Sequence, residues 1–354
     1  MDNANTAKVL VGDNRELLKS LPDKSVQTVV TSPPYWGLRD YGTATWMGGD
    51  PDCSHYRQTK VTDSNTTGHT RHTSGIGDSI YKDICKLCGA TRKDSQIGLE
   101  STPLDYVQEL CDVFDEVWRV LKDDGVLWLN IGDTYSSHKD SKAAPDTLRT
   151  GDGTFVERAS NRNPKALKSV GLKHKELVGI PWRVAFELQS RGWYLRQDII
   201  WAKPNPMPES VTDRCTKSHE YIFMMTKNSR YFFDKEGIKE VASTPVKKKA
   251  STEEGAKKNP YNGFRNKRDV WFVSPRPFKD AHFAVYPLEL IEPCVLSGSR
   301  KDDTVLDPFS GSGTTGIVAL THGRNYIGLE LNPDYAQLSV DRIRDSTGIE
   351  LKLE

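Results

Sequence analysis

The chain has 354 residues, and its 49 Lys and Arg against 48 Asp and Glu leave a net charge of +1. This length predicts one large α/β domain with a sizeable insertion, or two domains, and the charge excludes a histone-like protein that binds nucleic acid through its overall charge. No apolar run reaches the ~18–20 residues of a membrane span. The N-terminal MDNANTAKVLVGD lacks the basic flank and apolar core of a secretory signal. Six Cys do not indicate a disulfide scaffold at this length, so we expect thiols or metal ligands in a reducing cytoplasm.

Short apolar segments alternate with amphipathic helices along much of the chain. Asp124-Gly125 is expected to form a turn between a helix and a strand. In chain order the sequence predicts a strand at 8–12, a helix at 14–21, a strand at 25–31, a helix at 101–121, a strand at 126–131, a helix at 181–190, a strand at 194–201, a strand at 305–307, a helix at 314–322 and a strand at 326–330. This alternation predicts an α/β fold with a doubly wound, mostly parallel sheet. Its ligands should lie beyond the carboxyl ends of the strands.

Three stretches interrupt the alternation. Residues 43–98 are rich in Gly, Thr, Ser, Asp and His and show little periodicity, which is uncommon in a compact domain unless the stretch is functional or stapled. Residues 139–175 contain nine Lys and Arg against four Asp and Glu, and we expect a mobile basic loop there. Residues 204–280 form a mixed segment, in which 247–268 hold eight Lys and Arg against two Glu.

A glycine-rich turn follows the predicted strand at 305–307. In Asp307-Pro308-Phe309-Ser310-Gly311-Ser312-Gly313-Thr314-Thr315, Gly311 and Gly313 permit a tight turn and close backbone approach to a ligand, and Thr314 or Thr315 can cap the next helix. Glu330 ends the following strand and can accept both hydroxyls of a ribose, as in adenine-nucleoside sites. Asp307 disfavours a phosphate and suits an ammonium or sulfonium group. A purely structural turn and a dinucleotide site are the alternatives.

A second motif, Thr31-Ser32-Pro33-Pro34-Tyr35-Trp36, ends the strand at 25–31. The prolines remove two backbone donors, so the Ser32 hydroxyl and the Pro33 carbonyl can hold both hydrogens of one NH2 group. Tyr35 offers a stacking face for a planar ring. Such a tip would favour a pyramidal base amine whose lone pair can attack a methyl group in line, once the base is flipped out of the duplex. Taken alone, the motif can equally be a rigid turn.

Together the two motifs resemble the β-class amino-DNA methyltransferases, which use S-adenosylmethionine. In that family the catalytic tip comes first, the target-recognition region second and the cofactor turn last, and TSPPYW at 31–36 and DPFSGSGTT at 307–315 follow this order. Further segments are similar to the family: VLVGD, GVLWLNIGDTY, WYLRQDIIWAKPNPMPES, HFAVYP and YIGLELNPDY. The resemblance implies a Rossmann-like methyltransferase fold. It divides the chain into a catalytic half (1–42 and 99–203), an insertion (43–98), a target-recognition region (204–280) and a cofactor-binding half (281–354).

The resemblance also implies roles for individual residues. Ser32 and Pro33 would bind the target amine, beside Pro34, and Tyr35 would stack on the flipped base. Glu330 would hold the ribose of the cofactor and Asp13 its adenine amine. The remaining cofactor-binding residues would cradle the methionine part or close the pocket: Asp307, Phe309, Gly311, Ser312, Gly313, Thr314, Phe283 and Pro287.

The target base is expected to be cytosine, methylated at N4, because Ser at the first tip position is found more often with cytosine N4 in this family and Asp with adenine N6. Adenine N6 stays the alternative, since Ser and Asp can both accept a hydrogen bond from the amine. A catalytically inactive zinc-containing nucleic-acid-binding protein, and a methyltransferase of RNA or of protein amides, are more distant alternatives. Pro293-Cys294 matches the nucleophile of 5-carbon cytosine methyltransferases, but it precedes the glycine turn, so we interpret Cys294 as core packing.

The insertion has the ligand spacing of a metal site. Cys53-x-His55 and Cys85-x-x-Cys88-Gly89 are two close pairs of soft ligands that suit a tetrahedral structural Zn²⁺. A metal would explain how 43–98 folds without hydrophobic periodicity. His69 or His72 can replace His55 as a ligand, and the alternative is four unrelated residues in a flexible loop.

Double-stranded DNA is the expected partner. Three basic clusters in the recognition region can contact phosphates: Lys247-Lys248-Lys249, Lys257-Lys258 and Arg265-Asn266-Lys267-Arg268. No membrane partner is expected, and a homodimer stays open. We expect a cytoplasmic enzyme of a bacterium or a phage-infected cell, serving restriction–modification or phage self-protection. The recognition sequence does not follow from any spacing rule.

Overall fold

The structure, a computed structural model, describes residues 5–37, 41–57, 79–80, 84–136, 147–149, 155–157, 170–242, 263–276 and 285–354. It forms two compact units, Tyr41–Gln96 and the remainder, Met1–Asp40 with Ile97–Glu354. Most of the basic segments 139–175 and 247–268 lies outside the described residues, as does Phe283.

The strands are numbered in chain order. They are β1 (Ala7–Val11), β2 (Val26–Thr31), β3 (Thr45–Met47), β4 (Tyr56–Arg57), β5 (Ser79–Ile80), β6 (Thr91–Lys93), β7 (Leu121–Ile131), β8 (Thr147–Arg149), β9 (Phe155–Glu157), β10 (Tyr194–Ala202), β11 (His219–Thr226), β12 (Glu240–Val241), β13 (Phe264–Arg265), β14 (Val270–Phe272), β15 (Thr304–Asp307), β16 (Asn325–Glu330) and β17 (Lys352–Leu353).

The described helices belong to the larger unit. They are α1 (Asn14–Leu17), continued by a 3₁₀ turn at Leu18–Ser20, then α2 (Pro103–Val120), α3 (Ile180–Ser190), α4 (Leu288–Gly298), α5 (Thr314–Thr321) and α6 (Pro333–Thr347). Thr102 caps α2 by accepting a hydrogen bond from the Asp105 amide, and Pro103 occupies the first helical turn, where its missing N–H costs nothing. No helix of the described ranges is long and apolar enough to span a bilayer.

A nine-stranded sheet organises the larger unit, in the order β14-β10-β11-β7-β2-β15-β16-β1-β17. Among these strands β11 runs antiparallel to both of its neighbours, and the other pairings are parallel. The predicted doubly wound, mostly parallel sheet is therefore confirmed. The carboxyl ends of β2, β15, β16 and β1 lie side by side at one edge, where the two motifs meet.

Helices cover both faces of the sheet. Side chains alternate along each strand, so each strand contributes apolar residues to the helices on both sides. On β7, Leu127 and Leu129 pack into a cluster with the apolar faces of α2 and α3. Val126 and Trp128 point the other way, into a second cluster with residues of α4, α5 and α6. All six residues of β2 are buried, as expected for a central strand of a parallel sheet covered on both faces.

The sequence misplaced the start of β7. Asp124-Gly125 is not a turn between α2 and a strand, because β7 begins at Leu121, directly after α2. The pairing of β7 with β2 shifts register between Val26 and Thr28, opposite Leu121 and Val126. Asp124 and Gly125 fill this irregularity, where Gln27 donates a hydrogen bond to Asp124.

The smaller unit contains two short antiparallel pairs, β3 with β6 and β4 with β5. Cys85 and Ala90 are its buried apolar residues among those described. Two backbone hydrogen bonds close a tight turn around them, from the Cys85 amide to the Ala90 carbonyl and from the Gly89 amide to the Cys85 carbonyl, each 2.8 Å long.

Candidate active site

The SPPY tip and the glycine turn leave the sheet from neighbouring strands. Parallel pairing places Val305 opposite Thr28 and Leu306 opposite Val29. The last residues of the two strands are joined directly, because the Thr31 hydroxyl donates a hydrogen bond of 2.6 Å to Oδ1 of Asp307. The Thr315 hydroxyl, which donates to Asp307, also lies 3.2 Å from the Val30 carbonyl. Two segments almost three hundred residues apart in the chain therefore share one edge of the sheet.

Asp307 is the centre of this junction and is almost completely buried. Its Oδ1 also accepts the Phe309 amide at 3.1 Å, and its Oδ2 accepts the hydroxyls of Thr315 at 2.8 Å and Tyr286 at 3.1 Å. Burial raises the pKa of Asp307, and these donors act against it. A carboxylate accepts about four hydrogen bonds, so the observed contacts make Asp307 a tie between strands, and its contact to a cofactor stays a prediction.

The glycine turn has the backbone that its sequence requires. Gly311 and Gly313 have φ of +51° and +75°, and a Cβ on Gly313 would lie 2.4 Å from Oγ of Ser339. The expected cap by Thr314 or Thr315 is wrong: Gly313 occupies the cap position of α5 and both threonines lie inside the helix.

Hydroxyls of the turn are held by α6. Nη1 of Arg342 donates to Oγ of Ser312 and to Oγ1 of Thr314, each at 2.9 Å, and to the Ser312 carbonyl at 2.8 Å. Burial lowers the pKa of Arg342. These contacts fix Ser312 and Thr314 in the turn and add a guanidinium to the site that the sequence had not indicated.

Two carboxylates lie at the ends of the next strands. Glu330 ends β16, and its side chain accepts the amides of Gly311 at 2.8 Å and Asn332 at 2.9 Å. Burial raises the pKa of Glu330. Asp13 follows β1, which pairs with β16 through Val11 and Glu330. Glu330 and Asp13 therefore lie at successive strand ends on the β16 and β1 side of the glycine turn.

The carboxylate of Asp13 is bound by Arg15, a residue of the helix that Asp13 caps. Its side chain caps α1 by accepting the Arg15 amide, and it forms an ion pair of 2.6 Å with Nη2 of Arg15. Burial opposes ionisation of Asp13, but the hydrogen bonds from Arg15 outweigh it and leave the pKa of Asp13 lowered. Contact of Asp13 with an adenine amine stays a prediction.

The hydroxyl of Tyr35 anchors the SPPY tip. It lies 2.6 Å from Oε2 of Glu220 and 3.2 Å from Oδ1 of Asn130, and the Ser32 hydroxyl lies 3.4 Å away. Burial, together with the charge of Glu220, raises the pKa of Tyr35, so the phenol stays protonated and can donate. A Cβ on Gly132 would lie 2.6 Å from Cε2 of Tyr35, which shows that the ring packs against the backbone there.

Two further contacts hold the tip to α2 and the segment before it. The Tyr106 hydroxyl donates to the Pro34 carbonyl at 2.9 Å, and the Trp36 indole donates to the Glu100 carbonyl at 2.9 Å. Burial raises the pKa of Glu100 to about 7, against the hydrogen bond from the Gly98 amide. The tip is thus a rigid element of the fold.

The other predicted residues are placed as follows. Phe309 packs against the cluster that contains α2, and Pro287 is buried at the start of α4. Cys294 is fully buried in α4, which confirms its interpretation as core packing, and burial raises the pKa of its thiol. In the described part of the basic region, Arg265 and Arg268 both pair with Glu240.

Several residues of the site were missed by sequence reasoning. They are buried or half-buried polar side chains that hydrogen-bond to one of the two motifs or to a residue that does so: Asn14, Tyr106, Asn130, Lys203, Glu220, Tyr286 and Arg342. Asn130 gave the clearest available signal, because it is a lone amide in the apolar strand VLWLNI.

The four predicted metal ligands of the smaller unit lie together. The donor atoms of Cys53, His55, Cys85 and Cys88 are all within 4.8 Å of one another. Sγ of Cys53 is 3.8 Å from Sγ of Cys85, and Sγ of Cys88 is 3.6 Å from Nδ1 of His55. Zinc bonds of about 2.3 Å to sulfur and about 2.0 Å to nitrogen place the corners of a tetrahedron about 3.5–3.8 Å apart, so the spacing suits Zn²⁺.

Comparison with known proteins shows which family the chain belongs to. Residues 26–341 match the family model of the N6 and N4 methyltransferases, described as DNA methylase. The chain is 40% identical over 346 residues to the type II methyltransferase M.Cfr9I of Citrobacter freundii, covering 96% of this chain and 88% of that protein. It is 42% identical over 341 residues to the type II methyltransferase M.SmaI of Serratia marcescens, covering 96% and 92%.

Solved structures share the fold. PvuII DNA methyltransferase (cytosine-N4-specific) superposes with a TM-score of 0.56 at 18% identity, over 98% of this chain and 92% of that one. A putative DNA modification methylase of Thermus thermophilus, solved in complex with S-adenosyl-L-methionine, gives 0.53 at 22% identity, over 99% and 100%. With the family model spanning most of the sequence and type II methyltransferases as relatives over nearly its whole length, the chain belongs to the N6/N4 family of DNA methylases.

Proposed function

We propose that this DNA methyltransferase transfers a methyl group from S-adenosylmethionine to the N4 amine of cytosine in double-stranded DNA. The observation that carries the proposal is the hydrogen bond between Thr31 and Asp307. It ties the tip that suits an NH2 group to the turn that suits a nucleoside cofactor, at one edge of the sheet.

The residues of the turn fit the cofactor. The half-buried carboxylate of Glu330 beside Gly311 can accept ribose hydroxyls, and the absence of a side chain on Gly311 allows close approach of the methionine part. Asp13 lies on the adjoining strand end for the adenine. When bound, S-adenosylmethionine supplies an electrophilic methyl group on its sulfonium.

The tip prepares the nucleophile. The Ser32 hydroxyl and the Pro33 carbonyl accept the two hydrogens of the cytosine amine, so its lone pair turns out of the ring plane and toward the turn. The Tyr35 ring stacks on the flipped base and excludes water from one face. Because these groups are held by the fold before DNA binds, they keep the amine at attack distance.

Ser32 favours cytosine over adenine through the family resemblance, and adenine N6 is the alternative outcome. The test is to methylate unmodified plasmid DNA with the purified protein, digest the DNA to nucleosides and identify the methylated nucleoside by mass. N4-methylcytosine is the expected product. N6-methyladenine alone would refute the choice of base, and methyl groups in RNA or protein but not in DNA would refute the substrate.

We also propose that Cys53, His55, Cys85 and Cys88 bind one structural Zn²⁺. The proposal is supported by the close spacing of the four donor atoms and by the little hydrophobic periodicity in the sequence of residues 43–98. All four positions are filled by protein side chains, so the metal would stabilise this unit and leave the chemistry to the larger one. Elemental analysis should find about one zinc per chain in the wild type and a marked loss in Cys88→Ser. Fully folded, metal-free wild-type protein would refute the proposal.

A further inference from the structure

A charged pair lies behind the Tyr35 ring. The Tyr35 hydroxyl donates to Oε2 of Glu220 at 2.6 Å, and Oε1 of the same carboxylate accepts a hydrogen bond from Nζ of Lys203. The side chains of Lys203 and Glu220 are only 20% and 14% exposed. One carboxylate therefore bridges the tyrosine of the tip and a lysine that neutralises its charge.

The sheet fixes both members of this pair. Glu220 lies in β11 opposite Trp201 of β10, and Lys203 follows the end of β10. The Lys203 amide donates to the Ser218 carbonyl at 2.7 Å, which closes the loop between the two strands at its base. Nζ of Lys203 also lies 4.3 Å from the centre of the Trp201 ring. The carboxylate thus reaches Tyr35 from a rigid, hydrogen-bonded pair of strands.

The arrangement restrains the ring at its far end. A phenol has one proton to donate, and the short contact shows that Glu220 receives it. The backbone of Gly132 contacts the ring edge at Cε2 and Cδ2, where a methyl group would not fit. A stacking ring held at its hydroxyl and at its edge is preorganised, so a base that lands on it meets a fixed surface.

We propose that Glu220, with its charge balanced by Lys203, is a positioning residue that fixes the orientation of Tyr35 for stacking on the target base. The proposal rests on the role given to Tyr35 in the proposed function. Asn130 also donates to Oε2 of Glu220, at 3.4 Å. In the proposal Glu220 affects turnover through the Tyr35 hydroxyl, so removing that hydroxyl makes the carboxylate irrelevant to turnover.

A double-mutant cycle of Tyr35→Phe and Glu220→Gln tests this dependence. Single-turnover transfer of tritiated methyl groups to unmethylated plasmid DNA is measured for the four proteins, with the dissociation constant for S-adenosylmethionine determined by calorimetry. Each single variant should lose about tenfold in rate with cofactor affinity unchanged. The rate of the double variant should be at most about twofold below that of Tyr35→Phe, as expected for two groups that act as one unit.

Glu292→Gln is the matched control. Glu292 pairs with His322 in the same unit, away from the tip, and its effect should simply multiply with that of Tyr35→Phe. If the rate of the double variant fell about a hundredfold, the product of the two single losses, the proposal would be overturned. A normal rate in Glu220→Gln alone would also overturn it. If Glu220→Gln does not fold, the pair Glu220→Gln with Lys203→Gln, which removes both charges, takes its place with the same expectation.

The readout does not depend on which base is methylated. Label found in adenine would overturn the base named in the proposed function, and the cycle would still decide the role of Glu220.

Discussion

Thr31→Val tests the junction between the two motifs. Valine keeps the shape of threonine and removes the hydroxyl that donates to Asp307 at 2.6 Å. Losing a hydrogen bond to a buried carboxylate costs about 1.5–3 kcal/mol. The pKa of Asp307, already raised by burial, should rise further, because Thr31 is one of the donors that lower it. Both the free energy of unfolding and the rate of methyl transfer should fall, since the bond also sets the position of the tip relative to the turn.

Thr28→Val on the same strand is the matched control. Thr28 is buried like Thr31, but its hydroxyl donates to the Val126 carbonyl, a neutral acceptor, at 2.9 Å. Its loss should cost about 0.5–1.5 kcal/mol and leave the rate unchanged. Urea denaturation followed by circular dichroism and single-turnover transfer of labelled methyl groups measure the two quantities. Equal losses of stability and equal rates in the two variants would refute the reasoning.

Further variants test the tip and its surroundings. Gly132→Ala places a methyl group 2.6 Å from the Tyr35 ring, so it should slow transfer by about tenfold or more through displacement of the ring; a normal rate, like that expected for the exposed Gly237→Ala, would show that the ring position is not critical. Glu100 has a pKa raised by burial from 4.5 to about 7, so the folded chain holds this proton more tightly than the unfolded chain and stability falls as pH rises between these values. Between pH 5 and pH 8 the free energy of unfolding of the wild type should fall by about 2 kcal/mol relative to that of Glu100→Gln, which lacks the titrating group. Parallel curves of unfolding free energy against pH for the two proteins would contradict this prediction.

The sheet and the placement of the two motifs were predictable because they depend on local patterns. The β-branched run before Ser32 and the apolar run before Asp307 both indicate buried parallel strands, and parallel strands end at the same edge of a sheet. The segment 43–98 differs from the rest of the sequence in its weak periodicity and its four candidate metal ligands, and the donor atoms of these four residues do lie together.

The contacts of the site were not predictable in the same way. Tyr35 and Glu220 are 185 residues apart, and their hydrogen bond depends on the pairing of β7 with β11, which no local pattern specifies. Gly313, and not the predicted Thr314, caps the helix because the turn requires a positive φ at this position, which glycine adopts with least strain. The hydrogen bonds of Asp307 were not predictable for the same reason, because their donors come from three separate segments of the chain.

The most direct test of the whole account is the kinetic effect of Ser32→Ala. In the proposed function Ser32 binds the target amine and takes no part in the glycine turn. The rate of methyl transfer should therefore fall about 10–100-fold, as for the loss of one strong hydrogen bond in the transition state. The dissociation constant for S-adenosylmethionine should stay within about twofold of the wild-type value. An unchanged rate, or loss of cofactor binding in step with the rate, would contradict the assignment of the SPPY tip to the base and of the glycine turn to the cofactor.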